Sequence, residues 1–167
     1  SPVDPAAHAK HFIAVGRFVD KKAPHLLLLA FHQAWKEDPE LRLTFAGTGP
    51  LHGSAIQLAQ ALGLEQAVTF TGALPHAEVA ERMATARALP VIATRHGGIV
   101  DVVEHGRSGL LSAEKDLAAM AEHIVDLARN PGRAADMGAN GRATVLAHHT
   151  RAASIAGLQA ILEAATR

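Results

Sequence analysis

Leu-Arg-Leu-Thr-Phe-Ala-Gly-Thr-Gly-Pro, residues 41–50, is the stretch that decides the fold. Its first six residues are mainly apolar and have the length of a buried strand. Gly47 and Gly49 then permit a tight turn, and Pro50 suits the first position of a helix, which is predicted over 51–62. A strand that passes through a glycine turn into a helix is the repeating unit of a parallel sheet.

The same unit recurs along the chain. Short apolar runs that end in a turn predict further strands at 11–15, 68–71, 89–94 and 110–111. Further helices are predicted at 26–35, from Pro75–His76 onward, up to Glu104, and at 115–128, 133–147 and 151–165. This alternation predicts an α/β fold: a doubly wound parallel sheet, Rossmann-like, with helices on both faces. We predict a single domain over 1–167, in which the prolines of 1–10 indicate a linker.

Composition excludes several classes of protein. Sixteen Lys and Arg balance sixteen Asp and Glu, so the net charge is zero. This argues against a nucleic-acid binder and against a polybasic membrane-surface protein. There is no cysteine, and no apolar run approaches the ~20 residues of a membrane span. With no signal peptide visible, a cytoplasmic location is expected.

The first candidate for chemistry is the end of the strand at 11–15. Gly16 permits a tight turn there, and Arg17 and Lys22 place two cations close to the start of the next helix. A guanidinium grips phosphate oxygens with two hydrogen bonds, and an ammonium acts as a point charge. The alternative is a pair of solvated surface cations.

Two glycine-containing loops are further candidates. Gly47, Gly49 and Pro50 lie where a helix start could bind an anion, with Gly49 exposing bare backbone to a ligand. The dinucleotide fingerprint is absent, because position 52 is His. Gly97 and Gly98 could form a similar anion nest. Ordinary turn formation is the alternative for both loops. The eleven His are scattered, so we expect no metal site.

Taken in order, these segments resemble the C-terminal half of GT-B fold glycosyltransferases of group 1 (retaining, family 4). The resemblance covers nearly the whole chain. It is carried by short segments in a specific order: Val15–Lys22, Ala46–Pro50, Val68–Gly72, Leu89–Thr94, Gly97–Val103, Gly109–Leu111 and Glu114–Asp116.

The resemblance implies roles for several of these residues. Arg17 and Lys22 match the pair that holds the diphosphate of a nucleotide-sugar donor, and the loop 47–50 lines that site. The backbone from Gly72 to Leu74 matches the wall against the base. The cations, rather than a metal or cofactor, stabilise the departing diphosphate. An N-terminal acceptor half is the implied partner, without which the chain is expected to be inactive.

The sequence departs from the family between Arg82 and Met83. There the family has a strand, a glycine-containing loop and two Glu spaced E-x7-E, which are absent here. Glu78 and Glu81 lie on the wrong side of this gap to replace them, so the catalytic residues are unknown. Either the sequence omits a disordered segment that the protein has, or the protein has lost it. We favour omission, because losing a central strand would cost more than the ~5–15 kcal/mol of a domain's stability.

These observations predict the donor-binding domain of a retaining glycosyltransferase, which transfers sugar to a saccharide or lipid-linked acceptor. A dinucleotide-dependent oxidoreductase is one alternative, disfavoured by the missing glycine fingerprint. A non-catalytic nucleotide-binding or interaction module is the other, and would follow if the carboxylate segment is truly absent.

Overall fold

A computed structural model describes residues 10–73 and 90–148 of the chain. Five strands and five helices alternate in this part, joined after the first strand by a single 3-10 turn at Asp20–Lys22. In chain order the elements are β1 (His11–Val15), α1 (Pro24–Glu37), β2 (Arg42–Ala46), α2 (His52–Ala61), β3 (Val68–Gly72), β4 (Val91–Thr94), α3 (Ile99–Val102), β5 (Gly109–Ser112), α4 (Leu117–Arg129) and α5 (Pro131–His148).

All strand pairs of the described part are parallel, which confirms the predicted α/β class. The strands form two sheets, however: one of order β1-β2-β3, and a separate pair of β4 and β5. Within the described ranges no ladder joins β1 to β4. The predicted linker up to residue 9 and the predicted helices from Pro75 and over 151–165 lie outside the described residues.

The described helix boundaries follow from local chemistry. α1 begins at Pro24, since proline needs no hydrogen-bond acceptor in a first turn. α5 begins at Pro131 for the same reason, two residues before its predicted start at 133. α4 starts at Leu117 because Asp116 Oδ1 accepts the N–H of Ala119 at 3.0 Å, an N-cap bond.

A single helical layer bridges the two sheets. α1 packs along α4 and also contacts α2, and α4 contacts both β4 and β5. The core beneath β1-β2-β3 contains side chains with no exposed surface, among them Leu28, Phe31, Leu41 and Leu64. The shared layer holds the two sheets in one unit although no ladder joins them. No helix of the described part is long and apolar enough to cross a membrane.

The loops after β1 and β2 interlock through Phe18. Its buried ring lies 4.4 Å from the Phe45 ring, centroid to centroid, and also contacts Phe70. Its N–H donates to the Thr48 carbonyl and its carbonyl accepts the Leu51 N–H, both at 3.0 Å. Side chain and backbone therefore fix the same residue, and with it the path of the first loop.

Gly47 marks the tightest contact between these loops. Its φ is +145°, and a Cβ placed there would lie 1.8 Å from the Gly16 carbonyl oxygen. That separation is far inside van der Waals contact, so any side chain must push the two loops apart.

We expect Gly47→Ala to destabilise the chain by about 3 kcal/mol or more, the range of overpacking combined with backbone strain. The control is Gly53→Ala in α2, where a Cβ meets nothing within 4 Å. It should be neutral or stabilising by up to ~1 kcal/mol. Urea unfolding followed by circular dichroism measures both. Equal midpoints for the two variants would contradict the close contact.

His105 supports the start of the second sheet. Its Nδ1 accepts the N–H of buried Leu111 at 2.9 Å, so the ring must be neutral at that nitrogen. Loss of hydration where the ring meets the protein, and then the charge of Arg95, lower the pKa of His105 below 6.5.

Because the folded pKa lies below the unfolded one, the unfolded chain binds the proton more readily. The contribution of neutral His105 to the free energy of unfolding is complete above about pH 6.5 and decreases as the pH drops below that value. We expect His105→Asn, whose amide oxygen also accepts the Leu111 N–H, to remove this acid-dependent decline. His25→Asn, at an exposed position of α1, should retain it. Unfolding midpoints between pH 5 and 8 test the difference.

Candidate functional site

A cavity of about 820 Å³ opens where the loops after β1, β4 and β5 approach one another. Such strand ends are where α/β sheets bind ligands. Polar and charged side chains border one part of it, which we call the rim: Asp20, Lys21, Lys22, Thr94, His96, Glu114, Lys115 and Asp116.

The 3-10 turn after β1 positions Lys22. The Lys22 N–H donates to the Val19 carbonyl at 2.9 Å, and Ala23 follows with a left-handed φ of 42°. Pro24 then starts α1. The backbone on both sides of Lys22 is thus fixed, while its side chain borders the cavity.

Arg17 is exposed and does not border the cavity, whereas Lys22 does. The structure therefore brings only one member of the predicted phosphate-binding pair to the rim. Gly16 lies against the loop after β2 and donates its N–H to the Ala46 carbonyl. That Arg17 and Lys22 act on the same ligand stays a prediction.

The rim contains three lysines, Lys21, Lys22 and Lys115, and three carboxylates, Asp20, Glu114 and Asp116. Glu114 pairs with His96, and the Asp116 carboxylate caps α4. Lys21, Lys22 and Lys115 have no ion pair with any residue in 10–73 or 90–148. Because none of the three ammonium groups is held by a carboxylate of these ranges, all three can turn toward an anionic ligand in the cavity.

The glycine loop after β2 differs from its prediction. The space that Gly49 leaves open is taken by the chain itself, since a Cβ there would lie 2.4 Å from the Phe18 carbonyl oxygen. Bare backbone at Gly49 thus accommodates Phe18 rather than a ligand. Pro50 precedes the N-cap of α2 instead of occupying the first helical position, because Leu51 donates its N–H to Phe18.

The remaining predicted residues have backbone roles in this structure. Gly97 has a left-handed φ of 56°, and Gly98 caps the four-residue helix α3. The Gly72 carbonyl accepts the Gly47 N–H at 2.7 Å. None of these glycines borders the cavity. Leu74, the second residue assigned to base binding, lies outside the described residues.

Sequence reasoning missed Lys21, Lys115 and the His96–Glu114 pair as rim residues. The rule that ligands bind beyond strand ends would have drawn attention to 113–116, which directly follows β5. The left-handed backbone of Lys115, with φ 63°, could not be predicted, because the residue type does not indicate this conformation. Among the described residues, no group of three or more His, Asp or Glu is placed to hold a metal ion.

Comparison with protein families gives two matches, both to glycosyl transferases group 1. One family model matches residues 4–89 and the other residues 78–130. The first alone covers half of the chain.

Two curated relatives are similar over most of the chain. The GDP-mannose-dependent alpha-(1-6)-phosphatidylinositol monomannoside mannosyltransferase of Mycolicibacterium smegmatis is 27% identical over 177 residues, covering 87% of this chain and 46% of the relative. The D-inositol 3-phosphate glycosyltransferase of Frankia alni is 34% identical over 147 residues, covering 70% and 36%. The chain therefore spans less than half the length of these relatives.

A solved structure shows the same fold. The Anabaena protein HepE, in complex with UDP and glucose, superposes with a TM-score of 0.71 at 23% identity. The match covers 84% of this chain and 45% of that protein.

Two residues bordering the cavity, Ala23 and Lys115, hold left-handed backbone without being glycine. We expect Ala23→Gly to raise the free energy of unfolding by about 1 kcal/mol, because glycine adopts this conformation without a Cβ clash. Ala139→Gly, at an exposed position of helix α5, should lower it by about 1 kcal/mol. Denaturant titration distinguishes the two signs, and a loss at both positions would contradict strain at Ala23.

Proposed function

We propose, from the premise that this chain belongs to the group 1 glycosyl transferases, that it is the donor-binding domain of a retaining glycosyltransferase. The donor would be a nucleotide diphosphate sugar and the acceptor a saccharide or a lipid-linked group. The proposal keeps the cytoplasmic location expected from the sequence.

The observation that carries the proposal is the set of uncommitted lysines at the rim. Lys21 and Lys22 lie on the loop after β1, and Lys115 lies on the loop after β5, so positive charge reaches one cavity from two strand ends. A pyrophosphate needs such charge when it leaves the sugar, because negative charge builds up on its oxygens as the bond breaks. Lys22, whose backbone is held in the 3-10 turn, is the residue to which we assign this contact.

The relatives support the class of donor. The mycobacterial relative is named as GDP-mannose-dependent, and the Anabaena structure contains UDP and glucose. GDP-mannose and UDP both contain a nucleoside diphosphate. Its diphosphate is the group that we propose the rim lysines bind.

Activity is proposed to require more polypeptide than this chain. The chain spans less than half of the relatives' length. The two Glu spaced E-x7-E that the family resemblance places between Arg82 and Met83 are absent there. We therefore propose an acceptor-binding half as a partner and expect neither donor hydrolysis nor sugar transfer by the chain alone. Turnover comparable to a full-length enzyme in either assay would contradict this division of labour.

The missing carboxylates also favour one other function, a nucleotide-binding or interaction module without catalysis. Adding an acceptor-binding half distinguishes the two functions. It would leave such a module inactive, whereas it would complete a glycosyltransferase.

Calorimetric titration with UDP, GDP and NADH tests the proposed ligand class. We expect a nucleoside diphosphate to bind more tightly than NADH, and Lys22→Ala to weaken it about tenfold or more, from ~1.5 kcal/mol for a charged hydrogen bond. Lys36→Ala, on α1 and away from the cavity, is the control and should bind like the unsubstituted chain.

Arg17→Ala completes the set. A loss as large as that of Lys22→Ala would place both cations on the diphosphate, whereas no loss would leave Lys22 to act without it. A preference for NADH would instead indicate the oxidoreductase alternative. Diphosphate binding that ignores Lys22→Ala would overturn the assigned contact.

A further inference from the structure

The second sheet has an edge that no described strand covers. β5 pairs with β4 on one side, and within residues 10–73 and 90–148 no strand pairs with its other side, which we call the outer edge. Such an edge presents backbone N–H and carbonyl groups that can pair with another chain. The turn just before β5 lies against it instead, through a single bridge between His105 and Gly109.

Hydrogen bonds show which backbone groups of β5 point to the outer edge. The Arg95 N–H donates to the Ser112 carbonyl, so the even-numbered residues of β5 bond to β4. In a parallel ladder, the residues of a strand bond alternately to its two sides. The carbonyl of Gly109 and the N–H of Leu111 therefore face the outer edge.

The turn before β5 satisfies both of these groups. The Gly106 N–H donates to the Gly109 carbonyl at 2.8 Å, and His105 Nδ1 accepts the Leu111 N–H at 2.9 Å. The first bond joins two backbone groups, which do not titrate. The second depends on a ring nitrogen that can take up a proton near neutral pH. His105 is thus the part of this cover that can change.

A proton on Nδ1 is incompatible with the bond to Leu111. The nitrogen accepts a hydrogen bond only while it is unprotonated, so a bound proton would place two donors against each other. Leu111 is buried, whereas the His105 residue as a whole is exposed. The protonated ring can therefore turn into solvent, and the Leu111 N–H then loses its acceptor.

Cationic or titratable side chains face His105 from three other elements. Arg95, in the loop after β4, and Arg133 of α5 act on its ring as positive charges. The His123 ring of α4 lies 5.8 Å away, centroid to centroid. Loss of hydration, followed by these groups, lowers the pKa of His105 below 6.5. The ring is therefore unprotonated at neutral pH, and its bond to Leu111 is intact.

The carboxylates near the turn are already engaged. Glu104, which directly precedes His105, pairs with Arg107 at 2.9 Å, and Asp126 pairs with Arg133. In the part of the chain that the structure describes, His105 has no ion pair. A protonated ring would thus have no carboxylate to hold it at the edge.

We propose that His105 is a pH-sensitive lock on the outer edge of β5. With Nδ1 unprotonated, the ring holds the Leu111 N–H and the edge is closed. Once Nδ1 binds a proton from solvent, the ring turns away and the Leu111 N–H is free, while the ladder between β4 and β5 remains. The lock is independent of the proposed donor, and it opens one edge without unfolding the sheet.

Amide exchange followed by NMR between pH 5 and 8 tests the lock on the full chain. Dividing the intrinsic rate of an unstructured amide by the measured rate at the same pH gives a protection factor. We expect the protection factor of Leu111 to fall about threefold or more from pH 8 to pH 5, since opening is linked to proton uptake.

Urea at low concentration separates a local opening from the opening of the whole strand. At pH 5, exchange at Leu111 should be about tenfold faster than at Leu110 and Ser112, which bond to β4. It should also respond little to urea, because freeing one N–H exposes little surface. Exchange of all three amides at one common, urea-dependent rate would mean that β5 opens as a unit, and would overturn the lock.

The matched variant is His105→Asn, whose Oδ1 can accept the Leu111 N–H but takes up no proton in this pH range. Its Leu111 protection factor should be the same at pH 5 and pH 8. His123→Asn removes the neighbouring ring and keeps the lock, so the fall at Leu111 should persist. An equal fall in His105→Asn would assign the pH dependence to another group and contradict the proposal.

Nitrogen chemical shifts of the His105 ring provide a readout that needs no variant. At pH 8 the proton should be on Nε2, with Nδ1 unprotonated, and at pH 5 both nitrogens should carry protons. The change should follow the same pH midpoint as the loss of Leu111 protection. A neutral ring with its proton on Nδ1, or two separate midpoints, would overturn the lock.

Discussion

The contact of Gly47 with the Gly16 carbonyl sets the geometry on which the rest of the site depends. No side chain fits between the two loops, so the loop after β1 must leave its strand along one path. Phe18 then fixes that path through two backbone hydrogen bonds and through its ring, which packs against Phe45 and Phe70. Only after this anchor does the 3-10 turn begin that carries Lys22 to the cavity. A close packing contact therefore determines where the Lys22 charge stands.

Arg17 illustrates how the same anchor can separate residues that are close in sequence. It directly precedes buried Phe18, so its backbone lies at the interlocked loops, and its side chain is exposed away from the cavity lining. Lys22 follows five residues after Arg17, at the end of the 3-10 turn. Charge reaches the rim instead from Lys115, almost a hundred residues further along, because β5 ends at the same cavity as β1. Proximity in space comes from strand ends rather than from sequence spacing.

Sequence patterns were sufficient to predict the described strands and most of the helices, because each is specified locally by an apolar run, a glycine or a proline. Lys22 was predicted as a site residue by the same local reasoning. The split into two sheets, the filling of the space at Gly49 by Phe18 and the rim position of Lys115 were not predicted from residue patterns. All three depend on which elements meet after folding, and Lys115 also depends on a left-handed backbone that its residue type disfavours.

β1 and β4 border the same cavity, and the loop after each of them carries a rim residue: Lys22 after β1 and His96 after β4. The helical layer of α1 and α4 packs against the core beneath the first sheet and contacts both strands of the second. Because this layer holds the two sheets together, it also sets where Lys22 stands relative to the His96–Glu114 pair. Side chains whose positions are fixed by packing are preorganised, which lowers the cost of ordering them around a charged ligand.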